Sequence, residues 1–240
     1  MLPHWLARFV PSIDTILVVV PVAIVVGVAA AALAAYLRLR GVRTPYTRKV
    51  FHFVIFTAAS VIQLVHGVGG VVVFGTVTAL IVLYAVWRGD GHAFYEALAR
   101  PNDAPRRTLF IVVPLVTTAL GGVLSNLIVP AYAWVGYLVA GWGDAVGEPV
   151  GTRWGRHRYR VPSLAGVPAT RSWEGSAAVL LLGAVAAVGG GLVAGLDAPT
   201  ALRIGVAAGV AGAAVEAVST HGLDNLTVQL AASAAAALVA

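Results

Sequence analysis

The sequence predicts an all-α fold: a polytopic transmembrane helical bundle with seven or eight spans, filling residues 1–240 as one transmembrane domain. Two observations carry this reading. Hydrophobic residues make up 59% of the 240 and charged residues only 11%, whereas a soluble domain carries about 25% charged residues. A chain so composed cannot cover a water-facing surface. In addition, apolar runs near the ~20 residues needed to cross the hydrocarbon core recur along the chain, and short polar loops between them hold nearly all the basic residues.

The runs lie at about 14–37, 50–66, 68–87, 107–128, 130–149, 175–195, 200–219 and 223–240. The first extends from about Ile16 to Tyr36 and ends at Arg38, Arg40 and Arg43, too long for the apolar core of a signal peptide and flanked as a membrane helix. Gly67, Gly69 and Gly70 separate the second run from the third, Pro130 the fourth from the fifth, and Pro199 precedes the seventh. The last run is short and Ala-rich, and whether it spans is left open by sequence. Cysteine is absent, which removes disulfides and thiolate metal sites.

Charge placement orients the bundle. Of the 16 Lys and Arg, five (Arg38, Arg40, Arg43, Arg48, Lys49) lie around the loop between runs one and two. Four more (Arg88, Arg100, Arg106, Arg107) lie between runs three and four, and five (Arg153, Arg156, Arg158, Arg160, Arg171) between runs five and six. With eight alternating crossings these loops share one side, and only Arg8 and Arg203 fall elsewhere. The positive-inside rule makes that side cytoplasmic and both termini external. The net charge of +6 and pI near 10.2 therefore reflect topology, not nucleic-acid binding.

Against that background the acids stand out. Asp144, Glu148, Glu174, Glu216 and Asp224 sit within or at the ends of apolar runs, where each costs about 2.5–3.5 kcal/mol if it reaches mid-membrane. In the eight-span arrangement all of them fall towards the cytoplasmic ends, either as interfacial residues or as a site. Asp144 and Glu148 are four apart, so a helix places both carboxylates on one face. A Mg²⁺ ion would relieve their repulsion, since it takes a few carboxylates together with phosphate oxygens and water. Gly143, Gly147, Gly151 and Gly155 form an adjoining stripe of small residues, suited to helix packing and to close approach of a phosphate chain. Pro149 is expected to kink or end the helix.

A basic loop follows, with Arg153, Arg156, His157, Arg158 and Arg160. Next comes Arg171-Ser172-Trp-Glu174-Gly175-Ser176, opening a run whose helix N-terminus would attract an anion; Ser172 and Glu174 equally suit plain N-capping. Acids for a metal and bases for a polyphosphate together read as a nucleotide site. Arg48-Lys49-Val-Phe-His52, which contains the sole Lys, and Glu216 with Asp224-Asn225 face the same side. Asp224-Asn225 offers oxygen ligands and is also an ordinary helix start.

In this ordered set the chain resembles the polytopic phytol kinase and dolichol kinase family, which also includes CTP-dependent diacylglycerol kinases and is related to the phosphatidate cytidylyltransferases. The resemblance spans roughly residues 44 to 230. It rests on Arg48-Lys49-x-x-His52; on Gly143-Asp144-Ala145 with Gly151-x-x-x-Gly155-Arg156-His157; on Arg171-Ser172-x-x-Gly175-Ser176; and on Asp224-Asn225-Leu226-Thr227-Val228. Arg171 stands where the family usually has Lys, and Gln229 where it has Pro.

The resemblance implies a multi-pass phosphotransferase with an alcohol group as acceptor, passing the γ-phosphate of CTP to a lipid alcohol (phytol, dolichol or another polyprenol, or diacylglycerol) at the cytoplasmic face. Asp144, Glu148 and Asp224 would be catalytic, with Asp144, Asp224 and Asn225 holding Mg²⁺. Gly143, Arg153, Gly155, Arg156, His157, Arg171, Ser172, Gly175 and Ser176 would bind the nucleotide. Arg48, Lys49, His52 and Glu216 would lie on the substrate or phosphate side.

A rival resemblance is to CTP:phosphatidate cytidylyltransferases, through the Gly-Asp stretch and Arg171 to Gly175. Their C-terminal Pro-Gly-His-Gly-Gly signature is absent, and Asp224-Asn225 stands there. A transporter would also carry intramembrane acids, but near the midplane of related halves; that role and a structural one remain as alternatives. Gly205 and Gly209 form a small-xxx-small pair that suits packing within the chain or between two copies in a homodimer.

Overall fold

The structure, a computed structural model, describes residues 3–164, 166–220 and 222–240. In order the elements are α1 (His4–Ala7), α2 (Ile13–Leu39), α3 (Thr44–Arg88), α4 (Ala93–Leu98), α5 (Leu109–Ile128), α6 (Ala133–Leu138), α7 (Asp144–Trp154), β1 (Arg158–Leu164), β2 (Val167–Ser172), α8 (Trp173–Val193), α9 (Ala198–Val218) and α10 (Asp224–Val239). Short 3₁₀ turns precede α5 and α6, and a π turn over Val139–Gly143 joins α6 to α7. Among the described residues five helices (α2, α3, α5, α8 and α9) are long and apolar enough to cross a membrane.

The second and third apolar runs form one element, α3, of 45 residues. Straight, it would measure roughly 67 Å at 1.5 Å per residue, more than twice the ~30 Å hydrocarbon core. Gly67 breaks it, with φ 63° and ψ −162°, a conformation that needs glycine. The chain reverses there. Ile62 approaches within 2.9 Å of where a Cβ on Gly70 would sit, although eight residues of continuous helix would separate them by about 12 Å. Residues equidistant from the break, Phe56 with Thr78 and His52 with Val82, line a common cleft. The two arms, 44–66 and 68–88, therefore lie side by side, as the glycines at 67, 69 and 70 led the sequence to predict.

Packing inverts the pattern of a soluble core. Leu17, Val25, Leu80, Leu181, Val185, Leu202 and Val206 are exposed, while Ala23, Ala30, Ala34, Ala187 and Ala208 are buried. Hydrocarbon solvates Leu and Val as well as protein does, so close backbone approach between small residues supplies the contact energy instead. Gly205 and Gly209 follow this rule within the chain. Cβ atoms there would sit 2.8 Å from the Ala184 carbonyl oxygen and 2.9 Å from that of Leu180, both on α8. The last apolar run, α10, lies inside the bundle against α9, α5 and α6, burying Gln229, Ala232, Ser233 and Ala236.

Two sequence expectations are corrected. Pro149 does not end its helix: α7 continues to Trp154. Proline removes one amide, and a membrane helix tolerates this where neighbours compensate the freed carbonyl. The stretch read as a basic loop is a β-hairpin, pairing Arg158 with Ser172, Tyr159 with Arg171 and Arg160 with Thr170, with an irregularity between Val161 and Leu164. Its arginines suggested a solvated loop, but Tyr159, Val161, Val167 and Thr170 supply aromatic and β-branched positions on paired strands.

Polar elements gather at one end. Thr44 Oγ1 donates to the Glu96 carbonyl at 3.0 Å and Thr47 Oγ1 to that of Ala97 at 2.7 Å, tying the start of α3 to α4. Arg8 instead donates to the Leu127 carbonyl at the far end of α5.

Candidate functional site

A cavity of about 350 Å³ opens at the polar end of the bundle. Its walls come from the loop after α4 (Arg100, Asn102, Asp103), from α7 (Asp144, Gly147, Glu148, Gly151), from the hairpin (Arg158, Thr170, Arg171), from the start of α8 (Ser172, Gly175, Ser176) and from Glu216 and Asp224.

Local structure fixes the first half. The π turn over Val139–Gly143 ends at Asp144; one residue beyond α-helical spacing turns everything downstream by about 100°. Asp144 and Glu148 lie one helical turn apart on α7, and Lys49 joins them: its Nζ is 2.5 Å from Asp144 Oδ2 and 3.0 Å from Glu148 Oε2. Glu148 is also held by Arg100, whose Nη1 donates at 3.0 Å, while Arg100 grips Asp103 through Nε and Nη2. Burial opposes the charge on Arg100, but Glu148 and Asp103 outweigh it and hold the guanidinium above its ordinary range. His52 places Nε2 3.2 Å from the Ala140 carbonyl oxygen and 3.5 Å from Asp144 Oδ2, and its ring stacks on Phe56.

The second half centres on Arg171. It pairs with Glu216, donates through Nη2 to Asp224 Oδ2 at 3.0 Å and reaches the Ser219 carbonyl. Asp224 Oδ1 accepts the amides of Gly222 and Asn225, which fixes the carboxylate at the start of α10. Ser172 caps α8, its Oγ accepting from the Gly175 amide at 3.1 Å. Ser176 Oγ lies 2.8 Å from the Tyr159 hydroxyl, which ties the hairpin to α8.

The structure thus brings together Lys49, Asp144, Glu148, Arg171, Ser172, Gly175, Ser176, Glu216 and Asp224. Other candidates lie elsewhere. Gly143 packs on Val179, and Gly155 on Ser172 Oγ. Arg153 stacks over Trp154, Arg156 is exposed, and His157 is bonded to Glu174 through Nδ1 at 2.8 Å. Arg48 and His52 line a neighbouring apolar cleft, as does Asn225. The Asn225 amide donates to Thr118 Oγ1 and the Pro114 carbonyl, so the side-chain amide is engaged by α5.

Sequence reasoning missed Arg100 and Asp103, treating Arg100 only as a topological charge. The signal was local: Arg100-Pro-Asn-Asp103 is a turn-forming tetrapeptide that pairs its own ends. Tyr159, which bonds Ser176, carried no signal beyond its aromatic character.

Charge bounds what can enter. Asp103, Asp144, Glu148, Glu216 and Asp224 face Arg100, Arg158 and Arg171 across the cavity, and Lys49 adds a fourth cation. One negative charge is left over, and such a cavity repels a bare polyphosphate. Among the described residues no three His, Asp or Glu side chains form a ready metal site. The donors are nonetheless hard carboxylate oxygens in excess over their counter-ions, which suits Mg²⁺ once phosphate oxygens and water complete its shell.

Fold and site together define a helical membrane protein with a carboxylate- and arginine-lined cavity at one end of the bundle. The chain is similar to the phytol kinase of Synechocystis sp., with 37% identity over 124 residues, 51% of this chain and 50% of that protein. It spans about half the length of that curated relative. No family model matches it, and no solved structure does.

Proposed function

We propose that this protein is a lipid-alcohol kinase, transferring the γ-phosphate of CTP to the hydroxyl of a membrane lipid. The observation carrying this reading is the meeting of two unlike cavities: the charged one, and an apolar cleft that shares Phe110 with it. A water-soluble polyphosphate and a lipid can thereby meet without either leaving its own medium. Similarity to a phytol kinase supports an alcohol acceptor.

In the reaction the alcohol oxygen forms a bond to the γ-phosphorus, the bond from that phosphorus to the β,γ-bridging oxygen breaks, and CDP leaves with the electron pair. The hydroxyl proton passes to a cavity carboxylate. Little covalent work falls to the protein, which positions and neutralises. Arg171 and Arg158 would hold phosphate oxygens, with Ser172 and Ser176 donating from the start of α8. Asp144 and Glu148, one turn apart on α7, would hold Mg²⁺ together with phosphate oxygens and water, with Asp224 a further acid of the same cavity; the ion when bound offsets the phosphate charge. Lys49 bridges the two α7 carboxylates and offsets their mutual repulsion. Eight crossings, with the arms of α3 counted separately and α6–α7 and α10 included, would set the cavity and the basic loops on one side, which the positive-inside rule makes the cytoplasmic one.

Purified protein given Mg²⁺, prenyl alcohols and diacylglycerol, with CTP labelled at either the α- or γ-phosphate, tests this. Label from the γ position should enter the lipid. Label from the α position would mark a cytidylyl transfer, and label from neither would count against both. Asp144→Asn should abolish transfer while the protein still inserts and melts cooperatively; near-parental activity would remove Asp144 from the site.

A further inference from the structure

The cleft beside the charged cavity has its own chemistry. It is a space of about 100 Å³ enclosed by both arms of α3, by α5 and by the start of α10. With the arms of α3 antiparallel about Gly67, its polar head lies at Arg48 and His52, level with Val82, and its floor at Phe56 and Thr78. Two of its polar atoms, Arg48 Nη1 and Thr78 Oγ1, have no hydrogen-bond partner among the described residues. Thr78 is the odd one among the threonines of α3's membrane-spanning arms. Thr57 and Thr76 fold their hydroxyls back onto the carbonyl four residues earlier, at 2.7 and 2.8 Å, as threonine in an apolar helix ordinarily does.

Of its lining, Leu115 and Thr118 on α5 are half-buried, and their neighbours Val116 and Leu120 are exposed on the apolar surface. The α5 side is therefore the side from which a lipid would enter. At its head, His52 lies 3.5 Å from Asp144 Oδ2, and Asp144 belongs to the charged cavity.

We infer that this cleft is the acceptor site: it seats the hydroxyl-bearing end of a single-chain lipid alcohol beside Arg48 and His52, with Phe56 and Thr78 as the floor that limits the bulk of its first carbons. The inference rests on the lipid-alcohol reading above. Its volume takes one chain and leaves the remainder of the tail in the bilayer. A two-chain glycerolipid would have to force the arms of α3 apart at Phe56 and Val82, and packed interiors resist such change.

Two measurements test it. A long-chain primary alcohol bearing a diazirine on its first carbons, photolysed on the unaltered protein, should label peptides covering residues 52–56, 78–82 or 111–115. Thr78→Trp, which fills the floor, should raise the KM for a single-chain alcohol by at least about tenfold, while protection of the protein by CTP with Mg²⁺ is unchanged. Labelling confined to other surfaces, or a Thr78→Trp variant with parental KM, overturns the acceptor site. Labelling of the cleft without transfer from γ-labelled CTP sustains the lipid site and sinks the kinase reading. Transfer with labelling elsewhere does the reverse.

Discussion

Replacing Lys49 by methionine keeps most of the side-chain volume and removes one charge. In the parent protein the ammonium is buried, with its side chain 5% exposed, and bridges Asp144 and Glu148. Glu148 retains Arg100 at 3.0 Å after the substitution, whereas among the described residues Asp144 keeps only the His52 ring at 3.5 Å. One carboxylate is thus orphaned in a largely buried setting, which costs about 3–5 kcal/mol. Repulsion between the two α7 carboxylates, four residues apart, adds roughly 0.2–0.5 kcal/mol. At about 2–4 °C per kcal/mol for a chain of this size, the apparent melting temperature should fall by roughly 6–20 °C. Tryptophan fluorescence during heating in detergent reads this directly. Neutralising the orphan in the Lys49→Met/Asp144→Asn double variant should recover most of the loss, a coupling that a thermodynamic cycle isolates. Mg²⁺ should stabilise the single variant more than the parent, because it meets two carboxylates freed of their ammonium. A Lys49→Met protein melting within about 2 °C of the parent, or a double variant no better than the single, would refute the reasoning.

Acid should loosen the loop between α3 and α5. The hydrogen bond from Arg107 holds the Glu96 carboxyl below its ordinary range, so the stabilisation is present above the unfolded value near 4.5 and is lost as pH falls through the lower folded value. Melting temperature followed from pH 6 to pH 3 should drop more for the parent than for Glu96→Gln; parallel profiles would exclude the pair as a contributor. Gly205→Ala should destabilise by about 1–3 kcal/mol through overpacking, since the new methyl meets the Ala184 carbonyl at 2.8 Å. Thermal unfolding checks this, and an unchanged midpoint would mean that α8 and α9 separate at little cost.

Much of the arrangement was legible before any coordinate. The apolar runs and the one-sided bases follow from the cost of placing charge in hydrocarbon, so composition marks the spans and the charged residues mark the polar end. The break at Gly67 could be read because few residues but glycine adopt that backbone conformation. Pro149 misled because the penalty for proline depends on what surrounds the freed carbonyl, and the hairpin was hidden because its arginines outweighed its alternation.

Within the site, sequence proximity and spatial proximity diverge. Arg153, Arg156 and His157 follow Asp144 closely in the chain yet turn outward, while Arg100, 48 residues from Glu148, holds it at 3.0 Å. The sequence by itself determined the medium of this protein, its polar end and the residue types gathered there, because those depend on transfer free energies that each segment carries alone. Only the tertiary structure decided which acids share a cation, that the Asn225 amide is engaged by α5, and that an apolar cleft adjoins the charged cavity. These depend on the rotation of α7 set by the π turn and on the reversal of α3, and neither can be read from a segment in isolation.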